Sequence, residues 1–344
     1  EADLPTATPE QRASSTLGKS GVERSYDTLL QGLVGYQNVE VDAHGRRLRV
    51  LTREAPRPGR ALHLNLDVRL QAVAAAALGE RTGAVVAMDP RDGAVRALVS
   101  VPAFDPTLFV GGIEPELYRA LLADPQRPLY DRALRGEYPP GSTIKPFMAL
   151  AGLVNGVTQP QDGTWCPGYF YLEGRVRPYR CWQRTGHGWV DMRAAISRSC
   201  DVYFYDLARR LGINRMHDAL ALFGLGRVTG VDLIGERAGL LPSPAWKRQR
   251  HNAAWYPGET VIAGIGQGYM LTTPLQLAVA TTAIATRGVL RAPRLASGAP
   301  NRSTRITLPE SAWQTTREAM EEVTHGAGGT ARARVVPTPN HMGS

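Results

Sequence analysis

A serine and a lysine three residues apart suggest the chemistry of this sequence. Ser142 and Lys145 lie within residues 137–149, EYPPGSTIKPFMA, where two prolines and a glycine predict that a helix begins at Ser142. Residues three apart share one helix face, so Lys145 would lie over Ser142. A serine hydroxyl is a weak nucleophile until a base takes its proton, and a desolvated lysine amine can be that base. The pair could carry acyl transfer, with Ser142 as nucleophile and Lys145 as base. Taken alone, the same spacing more often belongs to a serine that caps a helix and a lysine on the surface.

The composition makes a lysine at this position informative. The chain has 344 residues with 40 Lys and Arg against 31 Asp and Glu, and only three of the basic residues are lysines. Arginine stays protonated in proteins and could not replace Lys145 as a base. The arginines are scattered without a dense run, which favours a solvated basic surface and predicts no nucleic-acid partner. No apolar run is long enough to cross a bilayer.

Hydrophobic patterning predicts an α+β protein. Residues 39–50 read as a hairpin, residues 62–66 as a strand, and residues 83–88 and 94–101 as two strands around a Pro-Arg-Asp-Gly turn. Residues 67–79 read as a helix that begins at Asp67, a favourable N-cap residue. Helices are predicted to follow, over residues 142–155, 192–199, 202–211, 273–286 and 309–324. Early strands and later helices argue against an alternating parallel sheet.

Several segments together resemble one enzyme family. Residues 137–149 resemble the active-site helix of penicillin-binding proteins, and Ser199-Cys200-Asp201 resembles their second element, Ser-x-Asn. Aspartate at the third position is typical of the elongation-type class B members. Similar phrases occur at residues 17–25, 39–46, 103–108, 182–188 and 264–269, so the resemblance runs from about residue 17 to about residue 332.

The resemblance implies a fold and an activity. The fold would be a penicillin-binding or serine β-lactamase-like transpeptidase domain, an antiparallel sheet flanked by helices, over residues 61–344, after a small N-terminal pedestal at residues 1–60. The activity would be a peptidoglycan D,D-transpeptidase that cross-links stem peptides through a Ser142 acyl-enzyme and is acylated by β-lactams. Ser199 would relay protons, and Asp201 would position substrate or Lys145.

Relatives of this class also imply a location and partners. They carry one membrane helix and act in the periplasm with a membrane glycan polymerase and elongation scaffold proteins, so we expect a periplasmic domain of an inner-membrane-anchored protein. The alternatives are a serine β-lactamase or β-lactam sensor domain, which would lack the phrases at residues 17–50, and a non-catalytic scaffold module.

The family's third element, Lys-Ser-Gly or Lys-Thr-Gly, is absent from the sequence. Residues 324–331, THGAGGTA, resemble the segment that leads toward it. Either the remaining C-terminal portion belongs to the protein outside this sequence, or the chain is a degenerate relative that only binds. The first is favoured, because a domain without its central strands would expose its core.

Three cysteines and a histidine suggest a metal site. Cys166, Cys181, His187 and Cys200 are spaced Cys-x14-Cys-x5-His-x12-Cys, and three thiolates with one imidazole complete a structural tetrahedral zinc shell. The alternative is a Cys166–Cys181 disulfide, which leaves Cys200 as an odd thiol. Elongation-type relatives hold zinc with mixed ligands at corresponding places. The resemblance therefore implies Zn²⁺ that fixes Ser199-Cys200-Asp201 against the loop at residues 165–188.

Overall fold

The computed structural model describes residues 17–174 and 176–332, and the chain forms two compact units. The first comprises residues up to Asn65 with Asp232–Gly235 and Arg294–Pro300; the second comprises the remainder. Residues 1–16 of the predicted pedestal, and residues 333–344 of the predicted transpeptidase domain, lie outside the described residues. Within the described ranges, no helix combines the length and apolar character that a membrane span requires.

The first unit is built on a hairpin. Its elements are α1 (Gly21–Ser25), α2 (Asp27–Leu30), β1 (Tyr36–Val41) and β2 (Arg47–Glu54), with β1 antiparallel to β2. The hairpin predicted over residues 39–50 is confirmed and is longer on both arms. Its turn is closed by the Asp42 carboxylate, which accepts from the amides of His44 and Arg46 at 2.9 Å.

The strand predicted at residues 62–66 is wrong. Leu64 makes a single antiparallel bridge to Ala296. The Leu295 amide, which would donate to Asn65 in a longer ladder, instead donates to the Asp232 carboxylate at 2.6 Å. This unit therefore includes two later segments that had no signal in the sequence. The predicted division at residue 60 stays a prediction.

The second unit mixes helices with short antiparallel strand pairs, which confirms the α+β class. The pairs are β3–β4, β5–β8, β6–β7 and β9–β10. In chain order its elements are α3 (Val68–Leu78), β3 (Gly83–Met88), β4 (Val95–Val101), α4 (Pro115–Ala123), α5 (Arg132–Arg135), α6 (Lys145–Val154), β5 (Thr164–Cys166), β6 (Tyr169–Phe170), β7 (Tyr179–Arg180), β8 (Gly188–Val190), α7 (Met192–Ser197), α8 (Asp201–Ala221), α9 (Pro244–His251), α10 (Pro257–Ala263), α11 (Pro274–Ala285), β9 (Val289–Arg291), β10 (Ser303–Arg305) and α12 (Glu310–His325).

Helix α6 forms the centre of the core. Eight consecutive residues from Lys145 to Gly152 are buried, and α6 packs against α8 and α12. The Phe147 ring meets the Phe223 ring edge-on at 5.1 Å between centroids, and Phe223 in turn contacts Trp313 at 6.2 Å. Such close packing leaves few alternative positions for the residues at the start of α6.

The predicted helix over residues 142–155 starts later than expected. Residues Gly141–Ile144 form a 3-10 turn, and the α-helix begins at Lys145. Pro146 is accommodated in the first turn of α6, where its missing amide has no helical acceptor. Side chains three apart eclipse one another in a 3-10 turn. The expected proximity of Ser142 and Lys145 is therefore compatible with the shorter helix.

Candidate active site

The structure brings Ser142, Ser199 and Lys145 into one hydrogen-bonded chain. Ser199 Oγ donates to Ser142 Oγ at 2.9 Å. Lys145 Nζ lies 3.0 Å from Ser199 Oγ and 2.9 Å from the Ser199 carbonyl oxygen. The route between the nucleophile and the amine therefore passes through the Ser199 hydroxyl. Because a hydroxyl can donate and accept at once, this arrangement can move a proton from Ser142 to Lys145.

The Asp201 carboxylate is the charged partner of the Lys145 amine. Asp201 Oδ1 lies 2.7 Å from Lys145 Nζ, and Oδ2 accepts from the Trp182 amide at 2.9 Å. Lys145 is 1 % exposed, and its amine lies 5.5 Å from the centre of the Phe204 ring. When Lys145 takes a proton, the buried ammonium that forms is stabilised by an anion and by hydrogen bonds that replace its water. Asp201 thus contacts the amine of Lys145 directly, and its role in positioning Lys145 stays a prediction.

Ser199 reaches the site because its backbone is left-handed. It lies between α7 and α8 with φ of +54°, a conformation that costs a non-glycine residue roughly 1–2 kcal/mol. The turn is fixed by the Cys200 amide, which donates to the Ala195 carbonyl at 2.8 Å. The Ser199 carbonyl accepts from Trp182 Nε1 at 3.0 Å and from Lys145 Nζ. The strained turn is thus held on both sides.

Glycine at position 266 allows the turn before Ser142 to approach a neighbouring loop. Gly266 has φ of +70°, and its carbonyl accepts from the Gly141 amide at 2.9 Å. A Cβ at position 266 would lie 2.4 Å from the Gly141 oxygen, which is closer than atoms can pack. In the sequence, only the family resemblance of residues 264–269 marked this position. The contact itself joins residues that are distant in the chain, so no local pattern could predict it.

Gly266→Ala is therefore expected to lower acylation at Ser142 by at least tenfold, since the added methyl must displace the Gly141 backbone. Gly268→Ala is the matched control. Gly268 has a similar φ of +73°, but its nearest neighbour would be an Ile262 side-chain carbon at 3.3 Å. Both changes incur the left-handed penalty of roughly 1 kcal/mol. If the measured acylation rates fall equally in both variants, the close approach of Gly266 to the Gly141 backbone is not what acylation depends on.

Ser142, Ser199 and Asp201 line one cleft of about 600 Å³. Its walls also include the predicted metal ligand Cys181. The other lining residues were not singled out in the sequence: Arg180, Trp182, Arg184, Tyr205, Ile265, Gln267 and Thr330. Burial, and then the charge of Asp201, raise the pKa of Tyr205 well above its usual range, so its phenol stays neutral. Thr330 belongs to the segment at residues 324–331, and its amide donates to the Ser197 carbonyl at 3.2 Å.

The predicted metal ligands also come together. The ligand atoms of Cys166, Cys181, His187 and Cys200 all lie within 4.8 Å of one another. His187 Nδ1 is 3.6 Å from Cys166 Sγ and 3.5 Å from Cys181 Sγ. All three cysteines are buried and free, without the alternative Cys166–Cys181 disulfide. A hydrogen bond from the Cys200 thiol lowers the pKa of Cys181 to about 5, whereas the same bond and burial raise the pKa of Cys200.

This donor set fits a tetrahedral zinc ion. With Zn–S near 2.3 Å and Zn–N near 2.05 Å, a regular tetrahedron places sulfur and nitrogen about 3.6 Å apart. The two cysteine–histidine distances, 3.6 and 3.5 Å, have this length. The opposite ring atom, His187 Nε2, is buried and has no hydrogen-bond partner among the described residues. The four residues therefore have the chemistry and the spacing of a closed structural site.

A family model described as the penicillin-binding protein transpeptidase domain matches residues 83–341. The chain belongs to this family. A second model, described as the penicillin-binding protein dimerisation domain, matches residues 2–64. The family assignment and the α+β transpeptidase fold predicted from the sequence are thereby confirmed.

Individual relatives agree with the family. The peptidoglycan D,D-transpeptidase MrdA of Acinetobacter baumannii is 45 % identical over 327 residues, which are 92 % of this chain and 49 % of the relative. The chain therefore spans about half the length of this curated relative.

Solved structures of PBP2 are similar in fold and in sequence. The Pseudomonas aeruginosa structure in complex with WCK 5153 has a TM-score of 0.85 at 43 % identity, covering 96 % of this chain and 72 % of that one. The Helicobacter pylori structure in complex with MreC has a TM-score of 0.86 at 34 % identity, covering 96 % and 62 %.

Proposed function

We propose that the chain carries the acyl-transfer centre of a peptidoglycan D,D-transpeptidase that acts in cell elongation and that β-lactams acylate. The observation that supports this most directly is the chain of hydrogen bonds from Lys145 through Ser199 to Ser142. It supplies a nucleophile, a proton route and a base in one cleft. The transpeptidase named MrdA is the relative whose activity we transfer to this chain.

In the proposed reaction, Ser142 is the nucleophile, Ser199 transfers protons and Lys145 is the base. The Ser142 hydroxyl gives its proton through Ser199 to the Lys145 amine while Oγ attacks the carbonyl of the penultimate D-alanine. The carbon–nitrogen bond then breaks, and the terminal D-alanine leaves as an amine with a proton returned through Ser199. The amine of a neighbouring stem attacks the ester, loses its proton to the same route and restores Ser142. Such proton transfers contribute about 10²- to 10⁴-fold to a rate.

The negative oxygen that develops during each attack also needs donors. By the family resemblance, the Ser142 amide supplies one donor, and the strand that carries the third element supplies the other. Ser142 lies at the beginning of the 3-10 turn that leads into α6, where backbone amides and the helix dipole favour negative charge. A single oxyanion donor contributes about 10²- to 10³-fold.

A fluorescent penicillin tests the proposal in the whole protein. We expect stoichiometric covalent labelling at Ser142, located by mass spectrometry of the labelled peptide, and no labelling of Ser142→Ala. Ser25→Ala is a control because the Ser25 hydroxyl bonds locally in the first unit. Rapid turnover of a chromogenic cephalosporin would instead identify a β-lactamase. A folded protein that is not labelled would point to the non-catalytic scaffold module.

We also propose that Zn²⁺ is held by Cys166, Cys181, His187 and Cys200. The ion would supply structural cross-linking, because four protein ligands leave no position for substrate. Trp182 follows Cys181, and Asp201 follows Cys200, so fixing the two cysteines fixes the hydrogen bond from the Trp182 amide to Asp201. Zinc coordination would also explain three free buried thiols in an exported protein, a setting in which thiols otherwise oxidise.

The location and partners are proposed from the relatives. We place the chain in the periplasmic part of an inner-membrane-anchored protein, with peptidoglycan stem peptides as substrates. The Helicobacter pylori relative forms a complex with MreC, which supports an elongation scaffold protein as a partner here. A membrane glycan polymerase is the second partner, proposed from the family resemblance.

A further inference from the structure

The charge of the active-site cleft is unbalanced. Among the residues that line it, Arg180 and Arg184 are the cations and Asp201 is the carboxylate, while Cys181 belongs to the cysteine cluster. The single carboxylate is already engaged, since Asp201 bonds Lys145 at 2.7 Å and the Trp182 amide at 2.9 Å. Both oxygens of Asp201 therefore already have partners. The two arginines give the cleft its net positive charge.

Neither arginine has a carboxylate counter-ion among the residues that the structure describes. Within residues 17–174 and 176–332, the ion pairs include none from Arg180 or Arg184 to a carboxylate within 4.0 Å. Both residues are exposed. Guanidinium groups match carboxylates with two parallel hydrogen bonds. The cleft thus presents two such groups to whatever enters it.

The backbones of both arginines are fixed although their side chains are exposed. Arg180 pairs with Tyr169 across β6 and β7, and its carbonyl accepts from the Tyr205 hydroxyl at 3.2 Å. The Arg184 carbonyl lies against Gly168, where a Cβ would be only 2.3 Å away. Because the anchor points are rigid, binding a ligand would restrict only the side chains.

We propose that Arg180 and Arg184 form a carboxylate-binding subsite for the donor stem peptide, on the residue that precedes the D-alanyl-D-alanine end. The inference rests on the proposed function, and it names the substrate chemistry that the cleft selects. Because the arginines line the same cleft as Ser142, the proposal assigns the carboxylate to the molecule whose carbonyl meets Ser142. In a β-lactam, the acyl side chain occupies the place of that preceding residue.

Two penicillins test the subsite in the whole protein. Benzylpenicillin and carbenicillin differ by one carboxylate in the side chain and share the reactive ring. We expect Arg180→Gln/Arg184→Gln to lower the second-order acylation rate constant of carbenicillin at least tenfold more than that of benzylpenicillin. Rising salt should reduce the wild-type rate with carbenicillin more steeply, because ions screen exposed charges. The Arg209→Gln/Arg215→Gln variant removes the same charge from the exposed side of α8 and should change neither rate.

The outcomes separate this proposal from the proposed function. Equal rate loss with both penicillins, or no loss with either, would overturn the subsite. Failure of wild-type protein to react with benzylpenicillin would instead overturn the transpeptidase assignment. Because Arg180 and Arg184 flank Cys181, thermal unfolding and metal content of the double variant are measured in parallel. Unchanged benzylpenicillin acylation shows that the nucleophile and its proton route remain in place.

Discussion

Replacing Lys145 with arginine is expected to lower the rate of Ser142 acylation by about 10²- to 10⁴-fold, the usual contribution of a positioned base. Arginine keeps the positive charge and can still pair with Asp201, but it cannot take a proton from Ser199. The change therefore separates charge from basicity. The measurement is the second-order rate constant with a fluorescent penicillin under conditions in which the protein stays folded.

Lys247 supplies a matched control for this substitution. It is also buried, it is ion-paired with Glu259, and its amine lies 4.6 Å from the centre of the Tyr256 ring. Lys247→Arg therefore makes the same change in a comparable environment outside the cleft. We expect acylation within threefold of wild type for this variant. A Lys145→Arg protein that reacts at a similar rate would show that Lys145 is not the base.

Removing the proposed zinc ion is expected to produce the second large effect. Loss of about 4 kcal/mol from a structural metal site would lower the thermal midpoint by roughly 10 °C in a domain of this size. Acylation should fall about 10- to 100-fold, because a displacement near 1 Å of catalytic groups costs that much. Metal content, thermal midpoint and acylation rate are measured on the same preparation before and after chelation.

Two substitutions at Cys166 distinguish metal loss from damage to the catalytic turn. Cys166 is in β5, away from the Ser199 turn in sequence. Cys166→Asp keeps a group that can bind zinc, whereas Cys166→Ala removes one ligand. We expect the aspartate variant to retain zinc and most of its acylation rate, and the alanine variant to lose both. The structural role would be refuted by protein that is shown to contain no zinc and is still acylated at the wild-type rate.

Local patterns were sufficient to predict much of the fold. The Asp67 side chain accepts from the amides of Arg69 and Leu70, so the helix start predicted there is confirmed as α3. The hairpin of β3 and β4 is also confirmed, because its apolar strands and its turn are encoded within consecutive residues. The strand predicted at residues 62–66 does not form. The Asp232 carboxylate, which is far away in sequence, accepts the Leu295 amide that a longer ladder would need.

The active site shows the same division between local and distant information. The spacing of Ser142 and Lys145 predicted their proximity, and the family resemblance supplied Ser199 and Asp201. The route through the Ser199 hydroxyl depends on a left-handed turn that the sequence does not signal, since serine rarely adopts it. The arginines were missed for another reason. In a chain so rich in arginine, nothing local distinguishes the two that line the cleft.

The hydrogen bond between Asp201 and the Trp182 amide links the catalytic residues to the cysteine cluster. Cys181 and Cys200 precede the two residues that this bond joins, and Cys181 also lines the cleft. A compound that extracted the proposed metal would disturb the partner of Lys145 without occupying the position of the penicillin ring. Changes in the cleft that exclude penicillins would leave such a compound effective.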